Sequence, residues 1–470
     1  MTIATEEPLT GALTLVGRIR ALLRGTDTAS VAQRSAAIAL VIRLGNAALA
    51  YLAQVVLARL MGQHEYGVFA YTWVWFLVFG AIGTLGFGDS PVRYIAQLRA
   101  RGEDAHLRGF VRFSTIAILA SSIAFGALVI AALPFAGAWI DNVYLMPMAL
   151  MAISIPFACL QSLLEAFGRS YSWTISALLP PYILRHGLLL VFMVAAVAVG
   201  MQATALTGYV CLIVTMVLST AYQATAILIR MRRAIKPGPR AYRPREWVRG
   251  SAPFAVLYAG QHLAGFADVL VLSFFAAPAE IAIYFAATRI IQVVNLVPYA
   301  ATVGTAHLFS ASHTLGDHGA LQRLCRYVVA TTFVIAIAAI GILVAGGDRL
   351  LAMFGAGFEA GYTPLVILAV GVVMRVAAGP AEDLLNMTGH SGLSASTYLV
   401  IVGVNVAFAV PLIMLFGVNG AAMAGAIALT LRALWLAFAA RRRLGVNTSI
   451  LAVLPFGAAL GPRPSETPAE

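Results

Sequence analysis

Residues 326–346 have the sequence RYVVATTFVIAIAAIGILVAG. After the opening arginine, twenty consecutive residues carry no charged side chain. A helix rises about 1.5 Å per residue, so a run of this length can cross a hydrocarbon core of about 30 Å. Comparable runs recur along nearly the whole chain, which predicts an all-α polytopic membrane protein rather than a soluble domain with one anchor.

About twelve transmembrane helices are predicted, in two sets of six. The apolar segments lie near residues 35–58, 67–88, 111–137, 143–167, 180–200, 205–229, 252–275, 281–305, 326–346, 363–387, 395–416 and 418–440. Between the sets, residues 230–249 hold eight basic side chains, one acidic side chain and three prolines. We therefore expect six-helix bundles at 35–229 and 251–440, a basic linker at 230–250, and terminal segments at 1–34 and 441–470.

The orientation follows from the distribution of arginine. Cytoplasmic loops retain an excess of Lys and Arg. With the helix count above, the basic clusters at 93–112, 230–249 and 441–443 fall on one side, and the opposite loops hold only Arg59 and Arg349. The pattern predicts a bacterial inner-membrane protein with both termini in the cytoplasm.

A short internal sequence repeat indicates how the two bundles are related. The sequence EYGVFA at residues 65–70 recurs as EIAIYF at residues 280–285, each just before or at the start of the second helix of its set. Both copies fall on the predicted outer side. The bundles are therefore expected to be parallel repeats related by an axis along the membrane normal, as in transporters that rock two halves around a central site.

The composition excludes several classes of protein. Hydrophobic residues make up 61% of the chain and charged residues only 11%, whereas soluble domains carry about 25% charged residues. The net charge of +12 comes from arginines between apolar segments, not from one basic face with aromatic residues, so no nucleic-acid partner is expected. Cys159, Cys211 and Cys325 are widely spaced, and neither a metal site nor a cofactor is predicted.

One stretch resembles a known family. Residues 57–97, LARLMGQHEYGVFAYTWVWFLVFGAIGTLGFGDSPVRYIAQ, are similar to the opening of the oligosaccharide flippases, the polysaccharide-export branch of the multidrug/oligosaccharidyl-lipid/polysaccharide exporter superfamily. Further resemblance follows in family order at residues 267–290, 354–371, 384–392 and 416–428. The resemblance implies a two-lobed bundle that moves a polyprenyl-pyrophosphate-linked oligosaccharide from the cytoplasmic to the outer leaflet by alternating access. It also implies membrane lipids, a polysaccharide polymerase and export proteins as partners.

An anionic lipid-linked sugar requires cations along a polar path. Arg43 lies well inside the cytoplasmic leaflet in the first segment, and Asn46 follows one turn later on the same face, so both are predicted to line a cavity. Arg185, beside His186, follows two prolines and lies nearer the interface. For Arg185 an interfacial role and a substrate-binding role both remain open.

The second half offers a further set of polar residues. Asp268 and Arg289 are expected at matched depth on adjacent helices, either as a structural ion pair or with one member binding substrate or a proton. Gln261 and His262 lie two turns from Asp268 and are predicted to extend its polar stripe. These four residues are further candidates for the cavity.

Two more arginines lie near the middle of predicted membrane segments, where an isolated charge is costly. Arg375 is a candidate for the cavity, and Arg432 lies at similar depth in the last segment. Glu165, Glu382 and Asp383 are possible partners, but the sequence does not decide among them, and Glu165 and Glu382 are interpreted as structural residues near helix ends.

Three other functions compete with a flippase. An ion-coupled secondary exporter of small molecules, of the facilitator type or the multidrug type, would have the same number of helices. Residues 86–94 loosely resemble the loop motif of facilitator-type transporters but lack its basic run. A multidrug-type exporter should have a more acidic cavity than the arginine-rich segments indicate. A membrane glycosyltransferase or polymerase should carry paired carboxylates in a long outer loop. Because no predicted outer loop exceeds about twenty residues, the sequence favours a transporter over an enzyme.

Overall fold

The computed structural model of the chain describes residues 28–137, 140–295, 298, 301, 305, 308–310 and 312–453. The regular structure of these residues is helical. Its α-helices are α1 Thr28–Gly83, α2 Ser90–Ala100, α3 Asp104–Ala136, α4 Leu145–Ser170, α5 Thr174–Ala198, α6 Ala205–Ala234, α7 Pro244–Leu272, α8 Pro278–Gln292, α9 His318–Ala345, α10 Gly347–Ala352, α11 Tyr362–Ala378, α12 Ala381–Met387, α13 Ser391–Phe416 and α14 Val418–Leu444. The predicted terminal segments lie mostly outside the described residues.

Ten stretches of the described residues are long and apolar enough to span a membrane. The first, Arg34–Gly83, contains two predicted segments, because α1 is broken at Gly62, where φ is 72° and ψ is 175°. The predicted segment 281–305 begins as α8 and continues into residues only partly described. The chain is a multi-pass membrane protein, whereas the count of twelve and the repeat relation remain predictions.

The predicted segment 363–387 is not one helix. Helix α11 ends at Gly379, which has φ 80° and ψ −167°, and α12 begins after Pro380. A side chain would be strained at this φ, and proline cannot continue the hydrogen-bond ladder, so both residues favour a break. The chain after α14 packs into it: the Thr448 hydroxyl donates to the Ala378 carbonyl at 2.9 Å.

Small residues allow the helices to pack closely. Because lipid tails are as apolar as leucine, membrane helices associate through van der Waals contact, which small side chains improve. A Cβ at Gly371 of α11 would lie 2.7 Å from the Ala426 Cα of α14, and one at Gly168 of α4 would lie 2.7 Å from the Ala177 Cβ of α5. Gly371 and Gly168 therefore lie at close helix contacts.

The helices before and after the linker meet at the end of the bundle that the sequence places outside. A Cβ at Gly67 of α1 would lie 1.7 Å from the Pro278 carbonyl oxygen at the start of α8. The neighbouring Tyr66 is fully buried, and its ring centroid lies 6.2 Å from that of Phe285 and 6.0 Å from that of Phe358. We call this region the outer contact.

Two polar contacts complete the outer contact. Arg59 Nε donates a hydrogen bond to the Met353 carbonyl at 2.6 Å, and Gln63 Nε2 donates to the Ala356 carbonyl at 3.0 Å. Both donors lie on α1 near the kink, and both acceptors lie in the loop between α10 and α11. The two halves are thus closed against each other at this end.

The basic linker is attached to α3 rather than extended between the halves. Arg108 donates from Nε to the Pro239 carbonyl at 2.8 Å and from Nη1 to the Lys236 carbonyl at 3.0 Å. At the start of α7, Trp247 is 1% exposed and its ring centroid lies 5.3 Å from that of Phe110. The linker backbone therefore packs as part of the first half.

Candidate functional site

Four neighbouring cavities inside the bundle share lining residues. The N cavity, of about 220 Å³, and the central cavity, of about 260 Å³, are both lined by Arg185. The central cavity and the C cavity, of about 320 Å³, are both lined by Gln292. The C cavity and a fourth, inner C cavity of about 410 Å³ are both lined by Arg375, Glu382 and Arg432.

The central cavity brings together three residues predicted from the sequence. Asn46 comes from α1, Arg185 from α5 and Arg289 from α8. Arg185 follows the π-helical turn Pro180–Leu184, whose extra residue per turn changes the direction of the side chains after the two prolines. The predicted site is therefore built by both halves of the molecule.

The hydrogen-bond capacity of this cavity is only partly used. The Nε of Arg185, the Nε and Nη2 of Arg289 and the Oδ1 of Asn46 are buried without a hydrogen-bond partner. The Arg289 guanidinium carbon lies 4.2 Å from the ring centroid of Phe285, which holds it in place. Buried polar groups are nearly always paired, so a cluster of unpaired donors calls for an explanation. An anionic ligand would supply the missing acceptors.

Arg43 contacts Tyr182, an aromatic residue that lines the N cavity. Its guanidinium carbon lies 5.1 Å from the ring centroid of Tyr182, which lines the N cavity together with Glu165 and Arg185. The sequence predicted that Arg43 and Asn46 share one cavity. Instead Asn46 lines the central cavity and Arg43 contacts a wall of the adjoining one.

The polar stripe predicted on α7 is divided between two cavities. Gln261 and Asp268 line the C cavity, whereas His262 lines the N cavity. Successive residues of a helix are rotated by about 100°, so His262 lies on a different face from Gln261, while positions seven apart share a face. His262 Nδ1 contacts the Tyr258 carbonyl at 3.0 Å within its own helix. The prediction that His262 extends the Asp268 stripe is wrong.

The ion pair between Asp268 and Arg289 is not formed. Asp268 instead accepts hydrogen bonds from the Tyr284 hydroxyl and from the Val269 amide, the latter at 2.9 Å. Tyr284 and Arg289 are five positions apart on α8, about 140° around the helix, so only one of them can face Asp268. Arg289 packs against Phe285 and leaves its guanidinium to the central cavity.

The C cavity contains a cluster that sequence reasoning left undecided. Arg432 donates from Nη2 to Glu382 Oε1 at 2.7 Å and from Nη1 to Glu382 Oε2 at 3.0 Å. The Tyr398 hydroxyl also donates to Glu382 Oε1, at 2.6 Å, and the Arg432 guanidinium carbon lies 3.8 Å from the Tyr398 ring centroid. Arg375, predicted for the cavity, lines the same space.

The sequence did not place Glu382 at the C cavity, because its position near a predicted helix end suggested a structural residue. The preceding Gly379-Pro380 pair was the available signal, since it ends α11 and lets α12 bring Glu382 to the cavity wall. Among the described residues, no group of three His, Cys, Asp or Glu side chains is placed to hold a metal ion. The site is therefore built from arginines, amides, hydroxyls and carboxylates.

Comparison with known proteins identifies the family and the fold. The family model described as "Polysaccharide biosynthesis protein" matches residues 32–308. No curated protein sequence matches the chain. Solved structures of the MOP superfamily share its fold at low sequence identity. An inward-facing multidrug resistance MATE family transporter has a TM-score of 0.72 and 14% identity, covering 86% of this chain and 98% of its own.

Two further structures extend the comparison. An outward-facing structure of a multidrug resistance MATE family transporter has a TM-score of 0.62 and 15% identity, covering 90% of this chain and 97% of its own. The lipid II flippase MurJ, in an inward closed conformation, has a TM-score of 0.66 and 14% identity, covering 85% of this chain and 87% of its own. Similarities at this level of identity establish the fold alone.

Proposed function

Since the chain belongs to the polysaccharide biosynthesis protein family, we propose that it is a flippase for a polyprenyl-pyrophosphate-linked oligosaccharide. It moves this substrate from the cytoplasmic to the outer leaflet of the bacterial inner membrane by alternating access. Family and fold agree with a transporter rather than an enzyme. The arginine asymmetry of the loops supports the orientation with both termini in the cytoplasm.

The unpaired donors of Arg185 and Arg289 are the observation that carries this proposal. A guanidinium is a planar fork that binds phosphate oxygens through two parallel hydrogen bonds, and it stays charged when buried. A diphosphate has enough acceptors for both arginines and carries the charge that balances them. Arg185 and Arg289 are therefore assigned to the diphosphate of the lipid carrier.

The neighbouring residues suit the remaining parts of such a substrate. Asn46 and Gln54 line the central cavity and can bond to the first sugar or to the diphosphate. The C cavity adds amides and hydroxyls, including Gln261, Asn405 and Tyr398, that match the hydroxyl groups of a glycan. The polyprenyl chain requires no polar site, because it stays in the lipid.

Arg43 is assigned to the entry of the anion. It lies half-buried beside Tyr182, on the side of the N cavity that the sequence places toward the cytoplasm. A cation there raises the local concentration of an anionic headgroup before it reaches Arg185. A membrane-anchored polymerase and export proteins are the expected consumers of the product on the outer side.

The test is transport of a fluorescent polyprenyl-diphosphate oligosaccharide by the purified protein in liposomes, with an impermeant quencher reporting the outer leaflet. Arg185→Gln and Arg289→Gln should each slow transport at least tenfold, and Arg185→Lys should retain part of it. Arg349→Gln, which changes an exposed arginine, is the matched control and should transport normally. Wild-type rates in the Arg185→Gln/Arg289→Gln double variant would refute the assignment.

The same vesicles test the alternative, an ion-coupled exporter of small molecules. The fold is shared with multidrug resistance transporters, but the central cavity presents two arginines, which repel organic cations. Efflux of ethidium driven by a proton or sodium gradient, with no movement of the lipid-linked sugar, would support the alternative instead. The flippase proposal predicts the opposite result.

A further inference from the structure

The Glu382–Arg432 pair stands on the wall between two cavities. Glu382, Arg432 and Arg375 line both the C cavity and the inner C cavity. The Glu382 side chain is 30% exposed and that of Arg432 is 11% exposed, so the carboxylate is the more accessible member. A group entering from either cavity would meet this pair.

The Glu382 carboxylate occupies an anion-binding position. It receives two hydrogen bonds from the Arg432 fork and one from Tyr398, and it interacts electrostatically with Arg375 as well. Two arginines and a hydroxyl around one carboxylate form the set of donors that binds the carboxylate of a ligand. The Arg432 Nε remains buried without a partner, so the site can still accept another oxygen.

The position of Glu382 in the chain allows it to leave this site. Helix α12 is a separate seven-residue helix that follows the break at Gly379 and Pro380. Ala381, Leu384 and Leu385 anchor α12 in the core, so Glu382 would leave by rotation of its own side chain, which is 30% exposed. Arg375 and Arg432, in contrast, belong to the long helices α11 and α14 and would stay in place. The carboxylate is thus the movable part of the cluster.

We propose that Arg375 and Arg432 form a second anion site. When no substrate is bound, the Glu382 carboxylate occupies this site. When the glycan is bound, a carboxylate of an acidic sugar in it displaces Glu382. The inference rests on the proposed function, because the diphosphate bound at Arg185 and Arg289 directs the glycan past Gln292 into the C cavity. The substrate class becomes a repeat unit that contains a uronic acid or a similar acidic sugar. Displacement by a ligand carboxylate keeps the charge of the site constant.

Binding of defined probes to the purified full-length protein in lipid nanodiscs tests this proposal by calorimetry. The probes are digalacturonate, the uncharged disaccharide cellobiose, and inorganic pyrophosphate. Glu382→Gln removes the competing charge and keeps the shape, so it should bind digalacturonate at least tenfold more tightly than wild type, with cellobiose unchanged. Arg432→Gln added to Glu382→Gln should abolish the gain.

Glu382→Asp provides a milder version of the experiment if Glu382→Gln folds poorly. It keeps the charge but shortens the side chain by one methylene group, which weakens its hold on Arg432 and Tyr398, so digalacturonate should bind about threefold more tightly. Unchanged digalacturonate affinity in both variants would mean that the pair is only structural, and the proposal would fail. A gain for pyrophosphate without a gain for digalacturonate would assign the site to a diphosphate and overturn the acidic sugar.

The diphosphate site is tested separately in the same experiment. Arg185→Gln should weaken pyrophosphate binding at least tenfold and leave unchanged the gain in digalacturonate affinity that Glu382→Gln produces. If Glu382→Gln gives no gain in digalacturonate affinity while Arg185→Gln still weakens pyrophosphate binding, only the second anion site is contradicted. If Arg185→Gln leaves pyrophosphate affinity unchanged while the gain is observed, only the proposed function is contradicted.

Discussion

Replacement of Gly67 by alanine should open the outer contact. In the described conformation the added Cβ would lie 1.7 Å from the Pro278 carbonyl oxygen, whereas real Cβ contacts are essentially never below 3.0 Å. The obstacle is backbone, which cannot rotate away as a side chain can. Helix α1 and the start of α8 must therefore separate by at least about 1.3 Å at this point.

The expected cost follows from that geometry. Forcing an extra methyl group into a packed site costs about 1–3 kcal/mol. If the chain escapes by opening the outer contact, the equilibrium between closed and open forms shifts by roughly 5- to 150-fold, since about 1.4 kcal/mol corresponds to a factor of ten. The hydrogen bond from Gln63 to Ala356 and the packing of Tyr66 on Phe358 would be lost with it.

Cross-linking with a bifunctional thiol reagent measures the opening. Cysteines replacing Gln63 and Ala356, in a background without Cys159, Cys211 and Cys325, should be joined quickly by a short bis-maleimide, because the two positions are within one glutamine side chain of each other, with Gln63 Nε2 at 3.0 Å from the Ala356 carbonyl. Gly67→Ala should slow cross-linking at least fivefold. Gly403→Ala is the control, since a Cβ there meets nothing within 4 Å. Equal rates for the two alanine variants would refute the argument from the Gly67 contact.

Three other predictions use different measurements. Because Asp268 and Arg289 form no ion pair and interact only through their electrostatic field, the coupling between their alanine variants in free energy of unfolding should stay below about 1 kcal/mol; a larger coupling would show a direct pair. Arg108→Ala should make the linker severalfold more sensitive to trypsin in inside-out vesicles, and unchanged cleavage would contradict its attachment to α3. A cysteine at Pro237 should be shielded from impermeant thiol reagents in intact cells and one at Asn142 should react; the reverse would overturn the predicted orientation.

The membrane character of the chain was predictable because it depends on length and hydrophobicity alone. A run such as 327–346 can only be a membrane helix or a deeply buried one, and ten described stretches meet the criterion for spanning. The family was also recognisable, because several weak resemblances follow one another along the chain in family order, and residues 32–308 match the family model. Neither inference requires knowledge of side-chain direction.

The details of the site depended on side-chain direction and were harder to predict. Depth along a helix placed Asp268 and Arg289 at the same level, but the rotation between Tyr284 and Arg289 decides which side chain meets Asp268. His262 was misplaced for the same reason, since one residue along α7 changes the cavity that a side chain faces. The sequence gives the depth of a residue in the membrane to within about one helical turn. Which side chains pair depends in addition on how each helix is rotated about its own axis.

The break in α11 shows a different limit. Residues 363–387 were predicted as one apolar segment, yet the Gly379-Pro380 pair separates α12 from α11, and Glu382 of α12 meets Arg432. The break is held in place by Thr448, which lies seventy positions away from Ala378 and follows the last long helix. A local pattern can indicate that a helix ends, but the partner that fixes the end comes from a distant part of the chain.

Under the proposed function, the division of the central site between the halves assigns it a role in the transport cycle. Arg185 belongs to α5 in the first half and Arg289 to α8 in the second, and both line one cavity in the described conformation. A diphosphate bound to both arginines contacts both halves only while they are close enough to share it. A ligand shifts a conformational equilibrium by its difference in affinity for the two states. Loading of the proposed substrate would therefore favour conformations in which Arg185 and Arg289 converge. Conformations in which the two arginines separate would bind the diphosphate more weakly and favour its release.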